Sequence, residues 1–190
     1  LNRLYFMLPL EKTQPYIKKV YLKLKYFCDN LLPNTKLIES SVFITYPGSL
    51  PQRFHIDGGG DIGSPNVFTF GIALDDITKE MGPLEYYLTS HKISDPQIFD
   101  QLVEKNNILW EDYYSEDEEF DDPTDGLTYN TYQEVCNKLN LPKKICTCKK
   151  GSVVIWSWNG IHRGTGNTQK IRPVFYFSLM GIQDQNIDID

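Results

Sequence analysis

Between Pro15 and Leu32 apolar residues return at Ile17, Val20, Tyr21, Leu24 and Phe27 with lysines between them. Steps of three and four residues wind such positions into one stripe along a helix, so this stretch predicts a helix packed on the outside of a sheet. From Ser40 to Leu88 the rhythm shortens to runs rich in Val, Ile, Phe, Thr and Tyr, which predict short strands. Residues 93 to 148 interrupt that pattern, with a short helix expected over Pro96 to Val103 and another over Tyr129 to Leu139, closed by Leu141-Pro142. Strands resume at Ser152. The run from Gly151 to Trp158 reads as a mostly apolar strand and Asn159-Gly160 as a turn. Arg172 to Met180 reads as a further strand in which Val174, Tyr176 and Ser178 share a face with Arg172, and a polar tail runs to Asp190. No internal repeat is visible.

This order suits a mainly β domain with flanking helices, a double-stranded β-helix or jelly-roll, cupin-like barrel. At 190 residues the chain fits a single domain, residues 1–190, with an insertion at about 93–148 that contains an acidic loop at 111–126. Aromatic residues make up 13% and gather in the expected strands. No run of eighteen apolar residues exists, so no membrane span is expected. The chain starts at Leu1 and not Met, which leaves room for a lost leader or upstream segment, and the expected location leans intracellular, to the cytoplasm. Cys28, Cys136, Cys146 and Cys148 lack the Cys-x-x-Cys spacing of a zinc site and read as free thiols.

Charge is distributed unevenly. Glu111 to Asp125 holds nine of the 25 acidic residues and no basic one, which leaves 16 acidic against 19 basic elsewhere, so the formal −6 is a local property. A solvated loop is the plain reading, and a lid recruiting a basic peptide or another cationic substrate is the sharper one. No basic stripe interleaved with aromatics is present, so nucleic acid is not an expected partner.

The chemistry concentrates at three residues. In Gln52-Arg-Phe-His55-Ile-Asp57 the residues i and i+2 of an extended segment point to one side, which brings His55 and Asp57 together and sends Phe54 and Ile56 the other way. Gly58-Gly59-Gly60-Asp61 would end that strand, and no Lys-Ser or Lys-Thr follows to make a phosphate loop. His-x-Asp alone is a common pair. The distant His162, with Arg172 ten positions later, completes two imidazoles and one carboxylate, the facial set that holds non-haem Fe(II) and leaves positions open. Adjacent antiparallel strands are expected to bring His162 near Arg172, whose planar fork suits a co-substrate carboxylate. Gln52 reads either as a co-substrate contact or as a strand amide bonding to backbone. His91 reads as structural, and Trp156 and Trp158 as core or pocket lining.

From about Tyr46 to Met180 the chain resembles the phytanoyl-CoA dioxygenase-like branch of the Fe(II)/2-oxoglutarate oxygenases. The resemblance is carried by Tyr46-Pro-Gly to Asp57, by Ala73-Leu-Asp-Asp through Gly82-Pro-Leu to Ser90-His91-Lys92, and by Gly151 to Arg172 with Asn167 between. It implies Fe(II) on His55, Asp57 and His162, with 2-oxoglutarate held by Arg172 and O2 as the second co-substrate. Hydroxylation of a C–H bond of a small-molecule or lipid-like substrate would then release succinate and CO2. A protein side-chain hydroxylase acting on a basic peptide, or a non-catalytic metal-binding barrel, stand as alternatives. Two positions depart from the family pattern: Thr89 stands where glycine is common, and Gly164 where a small hydroxyl residue is often found.

Overall fold

The computed structural model describes residues 2–32, 34–58, 67–109 and 130–181. A five-stranded antiparallel sheet forms one wall, in the order β1 (Arg3–Met7), β2 (Thr35–Thr45), β8 (Arg172–Gly181), β3 (Val67–Ala73), β6 (Val153–Ser157). A smaller sheet forms the other, in the order β5 (Lys143–Ile145), β4 (Leu84–Tyr87), β7 (His162–Gly164). The mainly β, double-stranded β-helix expected from the strand order is the architecture found. The expected barrel is not closed, because among the described residues the two sheets stay separate.

Each sheet is sided by the two-residue period of a strand. On the large sheet, Phe70, Phe177 and Leu179 turn outward and pack with Ile17 of α1 (Leu10–Lys23), Cys28 of α2 (Lys25–Leu31) and Leu32. The expected helix over 15–32 thus covers the sheet as its stripe requires, but it breaks at Leu24 into two. On the small sheet, Tyr87 turns outward with Phe54 and Ile161 against Phe99 and Val103 of α3 (Pro96–Lys105) and Val135 and Cys136 of α4 (Thr131–Lys138). Asp95 caps α3 by accepting from the N–H groups of Gln97 and Ile98. Asn130 caps α4 through the N–H of Gln133, and its amide donates to the carbonyl of Phe54, which ties that helix to the segment carrying His55.

Two apolar layers therefore lie outside the sheets, and the faces turned toward each other enclose a cavity. Lys143–Ile145 already pairs with β4, so the sheet resumes inside the stretch expected to interrupt it. The acidic stretch 111–126, the turn at 59–61 and the tail beyond 181 lie outside the described residues. All four cysteines are free. No helix among the described residues is long and apolar enough to cross a membrane.

Candidate metal centre and its cavity

His55 and His162 exchange backbone hydrogen bonds as an isolated antiparallel bridge, each N–H to the other's carbonyl at 2.9 Å. A facing pair of this kind brings side chains close, and the two imidazole centroids lie 4.6 Å apart. The N–H of Asp57 bonds to the carbonyl of Trp158, so its carboxylate turns to the same side as His55 while Phe54 and Ile56 go to the opposite core, as the i, i+2 spacing predicts. One ligand atom from each of His55, Asp57 and His162 falls within 4.8 Å of the others. His162 Nε2 is 3.4 Å and His55 Nε2 4.0 Å from Asp57 Oδ1.

The orientation of each group is set by hydrogen bonds behind it. His55 Nδ1 lies 2.8 Å from the carbonyl of Arg53 and His162 Nδ1 2.8 Å from that of Gly160, which places the proton on Nδ1 and leaves each Nε2 lone pair directed at the centre. Trp156 Nε1 donates to Asp57 Oδ2 at 2.9 Å, leaving Oδ1 on the ligand side. Tyr86 stacks beside His162 at 16° between planes. Two nitrogens and one oxygen arranged on one side of an open space fit a facial metal site.

The electrostatics agree with groups packed to share a cation. Burial lowers the His55 pKa to about 4, helped by the charge of His162, and so favours the neutral ring that a metal requires. For His162 burial pulls downward, but the charge of Asp57 and its hydrogen bond prevail and raise the value. Burial would raise Asp57, yet the two histidines and the Trp156 hydrogen bond hold it below the usual carboxylate range.

These groups border a cavity of about 640 Å³ whose walls include Arg3, Tyr5, Glu39 and Phe43 as well as Gln52. Arg172 is buried on the large-sheet side, with Nη2 donating to Thr45 Oγ1 at 2.9 Å and no carboxylate within 4 Å among the described residues. Its Nε is a buried donor without a partner. A buried cation left so is strongly disfavoured unless an anion joins it, and the carboxylate of a dicarboxylic co-substrate fits that need.

His162 and Arg172 meet differently from the expectation. Their strands are not neighbours: β7 pairs with β4, whereas β8 pairs with β2 and β3. The loop between them crosses from one sheet to the other, pinned by the fully buried Asn167, whose amide donates to the carbonyls of Thr45 and Lys170 and accepts from the N–H of Gln169. Histidine and arginine therefore face one another across the cavity. Gln52 lies in the cavity wall with Oε1 accepting from the N–H of Gly164 at 2.9 Å. A Cβ on residue 164 would sit 2.7 Å from that oxygen, so a side chain there would displace Gln52. His91 is exposed on a 3-10 turn away from the triad.

Trp156, expected as core or pocket lining, stands in the cavity wall, and its contact through the indole N–H with Asp57 is what the sequence did not signal. Tyr176 meets Trp156 edge to face, centroids 5.5 Å apart, over Gly71, where a Cβ would lie 2.8 Å from the Tyr176 ring. Thr89 has φ 65°, the left-handed backbone that explains why glycine is common at that turn.

Residues 26–174 match the family described as Phytanoyl-CoA dioxygenase (PhyH). No curated protein is significantly similar in sequence. Among solved structures the fold resembles the epimerase SnoN in complex with Fe3+, alpha ketoglutarate and nogalamycin RO, at TM-score 0.57 and 15% identity, covering 95% of this chain and 64% of SnoN. It also resembles HygX from Streptomyces hygroscopicus with nickel and 2-oxoglutarate bound, at TM-score 0.59 and 13% identity over 95% of this chain and 70% of HygX. AviO1 from Streptomyces viridochromogenes Tue57 gives TM-score 0.54 and 16% identity over 86% and 57%. The chain spans less than two thirds of SnoN and AviO1.

Proposed function

The chain belongs to the phytanoyl-CoA dioxygenase family, and we propose that it is an Fe(II)- and 2-oxoglutarate-dependent oxygenase whose metal is held by His55, Asp57 and His162. The observation that carries this reading is the convergence of those three ligand atoms within 4.8 Å, in the tautomers a metal needs, across a cavity from a buried arginine that has no carboxylate partner among the described residues. Bound Fe(II), with 2-oxoglutarate and O2, supplies the oxidising power that puts one oxygen atom into a substrate C–H bond and the other into succinate, with loss of CO2.

The chain's own residues prepare that reaction. Arg172 takes the distal carboxylate of 2-oxoglutarate, with Thr45 holding one end of its fork. Trp156 keeps Asp57 turned to the metal, and the Arg53 and Gly160 carbonyls keep both imidazoles aligned, so little reorganisation accompanies binding. Gln52, its oxygen committed to Gly164, offers its NH2 to the co-substrate. Tyr86, Trp156 and Tyr176 surround the centre with aromatic surface that limits access of water.

A small-molecule substrate suits a space between two sheets whose lining sets aromatic rings such as Phe43, Trp156 and Tyr176 among a few polar and charged groups. The reading also takes the chain as one oxygenase domain, with the stretch near 93–148 inserted beside the small sheet. Under anaerobic conditions Fe(II) plus 2-oxoglutarate should give a weak visible charge-transfer band in the intact protein and none in His162→Ala. On admitting O2, succinate should accumulate. A folded wild-type protein that gives no band defeats the reading, and a band without succinate in any condition leaves a non-catalytic metal-binding domain.

A further inference from the structure

The large-sheet wall carries a carboxylate that the reaction above does not use. Glu39 is turned into the cavity by a β-bulge: the register of β2 against β8 shifts between Leu37 and Glu39, so Leu37 joins the outer core while Glu39 stands opposite Ser178 on the inner face. Bulges at such positions re-aim side chains. No basic side chain lies within 4 Å of Glu39 among the described residues. Arg172 pairs with Thr45, six residues further along β2, or about 20 Å at the rise of a strand, so the cavity has a basic end and an acidic end.

Hydroxyl groups surround Glu39 instead. Tyr5 donates to Oε1, Ser41 Oγ donates to the same oxygen at 3.2 Å, and Ser178 Oγ donates to Oε2 at 3.2 Å. Ser178 Oγ is also 3.0 Å from Thr69 Oγ1, which accepts from Trp158 Nε1 at 2.8 Å. An ionised carboxylate can only accept, so Ser178 gives its single proton to Glu39 and must accept from Thr69, which fixes the direction of the whole chain. Thr69 accepts from Trp158 and passes its own proton to Ser178, which passes its proton to Glu39. Burial, and then the Glu39 contact, push the Tyr5 phenol up to about 12, so it too remains a donor. The row therefore presents only acceptor capacity and negative charge to whatever occupies the cavity.

The same row leads to the metal. Glu39, Ser178, Thr69 and Trp156 are cross-strand partners on β2, β8, β3 and β6, and Trp156 holds Asp57. Tyr5, Phe43 and Tyr176 form a run of rings beside this row, with successive centroids 6.2 Å apart. A ligand with its reacting carbon at the metal and its body on these rings would set a distal donor against Glu39. We propose that Glu39 is the specificity-determining residue of the substrate half of the cavity, and that it selects substrates carrying a protonated amine on an aromatic or apolar body. This rests on the oxygenase reading and names its substrate class.

The test uses protein loaded anaerobically with Fe(II) and 2-oxoglutarate, the charge-transfer band being recorded before any substrate is added. Binding of 2-phenylethylamine, tryptamine and 4-phenylbutylamine is then followed through tryptophan fluorescence, beside their N-acetyl forms and the matching carboxylates. At least one amine should bind about tenfold or more tighter than its N-acetyl form, the range expected for a hydrogen bond to a charged group. That ratio should fall toward one in Glu39→Gln and be partly kept in Glu39→Asp, each variant serving as its own control. Equal binding of amines and N-acetyl forms by wild-type protein, or an undiminished ratio in Glu39→Gln, overturns the inference while the band still supports the oxygenase. Absence of the band in wild-type protein removes both.

Discussion

The two walls of the cavity divide the work by chemistry. The small-sheet wall presents both histidines, each locked from behind by a backbone carbonyl, and its side chains need no partner on the opposite wall to point where they do. The large-sheet wall presents Arg172, Thr69, Ser178 and Glu39, groups defined by their neighbours on adjacent strands. On the proposed reading, one wall serves a cation and the other the charged ends of organic molecules. Ligand positions set by local backbone tolerate change on the far wall, whereas a row of cross-strand partners changes together. The walls are joined at Asp57, which belongs to the histidine segment but is oriented by Trp156 of the large sheet.

Arg172→Gln separates the walls most sharply. Losing the charge that faces the co-substrate should weaken 2-oxoglutarate by about 10- to 100-fold, with metal affinity little changed. Titration of the charge-transfer band against 2-oxoglutarate measures this, and a parallel loss of metal would mean that the walls are not independent. Trp156→Phe tests the join. It keeps the ring that packs on Tyr176 but removes the N–H to Asp57, and about a tenfold loss of metal affinity is expected, the lower part of the range for removing a hydrogen-bond partner of a metal ligand. Unchanged metal affinity in that variant would leave Asp57 oriented by its own segment alone.

The smallest effect tests the scaffold behind the small sheet. Thr89 holds a left-handed backbone that glycine adopts without cost, so Thr89→Gly should stabilise the protein by about 1 kcal/mol and raise Tm by a few degrees, with both walls unaffected. A lowered Tm would show that the threonine side chain contributes more than its backbone costs.

Legibility followed the same division. His55 and Asp57 are two residues apart, so the period of an extended chain was enough to pair them, and the opposite core of Phe54 and Ile56 followed from the same rule. The helical stripe from Ile17 onward announced the outer layer, although its break at Leu24 left no apolar signal. The adjacency expected for His162 and Arg172 failed because a short loop pinned by Asn167 switches sheets between them, and nothing in its composition distinguishes a hairpin from a crossover. Glu39 was silent for another reason: a bulge changes which face a residue occupies, and a strand pattern read by twos cannot register one extra residue.

By itself the sequence determined the candidate ligand types, the local pairing of His55 with Asp57, and the apolar faces that must be covered, because these depend on the short periods of helix and strand. Only the tertiary structure decided by what route His162, already expected beside that pair, reaches it, that Trp156 holds the carboxylate, and that Arg172 and Glu39 mark opposite ends of one cavity. Those relations depend on strand register and sheet crossing, which bring together residues as distant as Ser178 and Glu39, 139 positions apart, and no local period encodes such a distance.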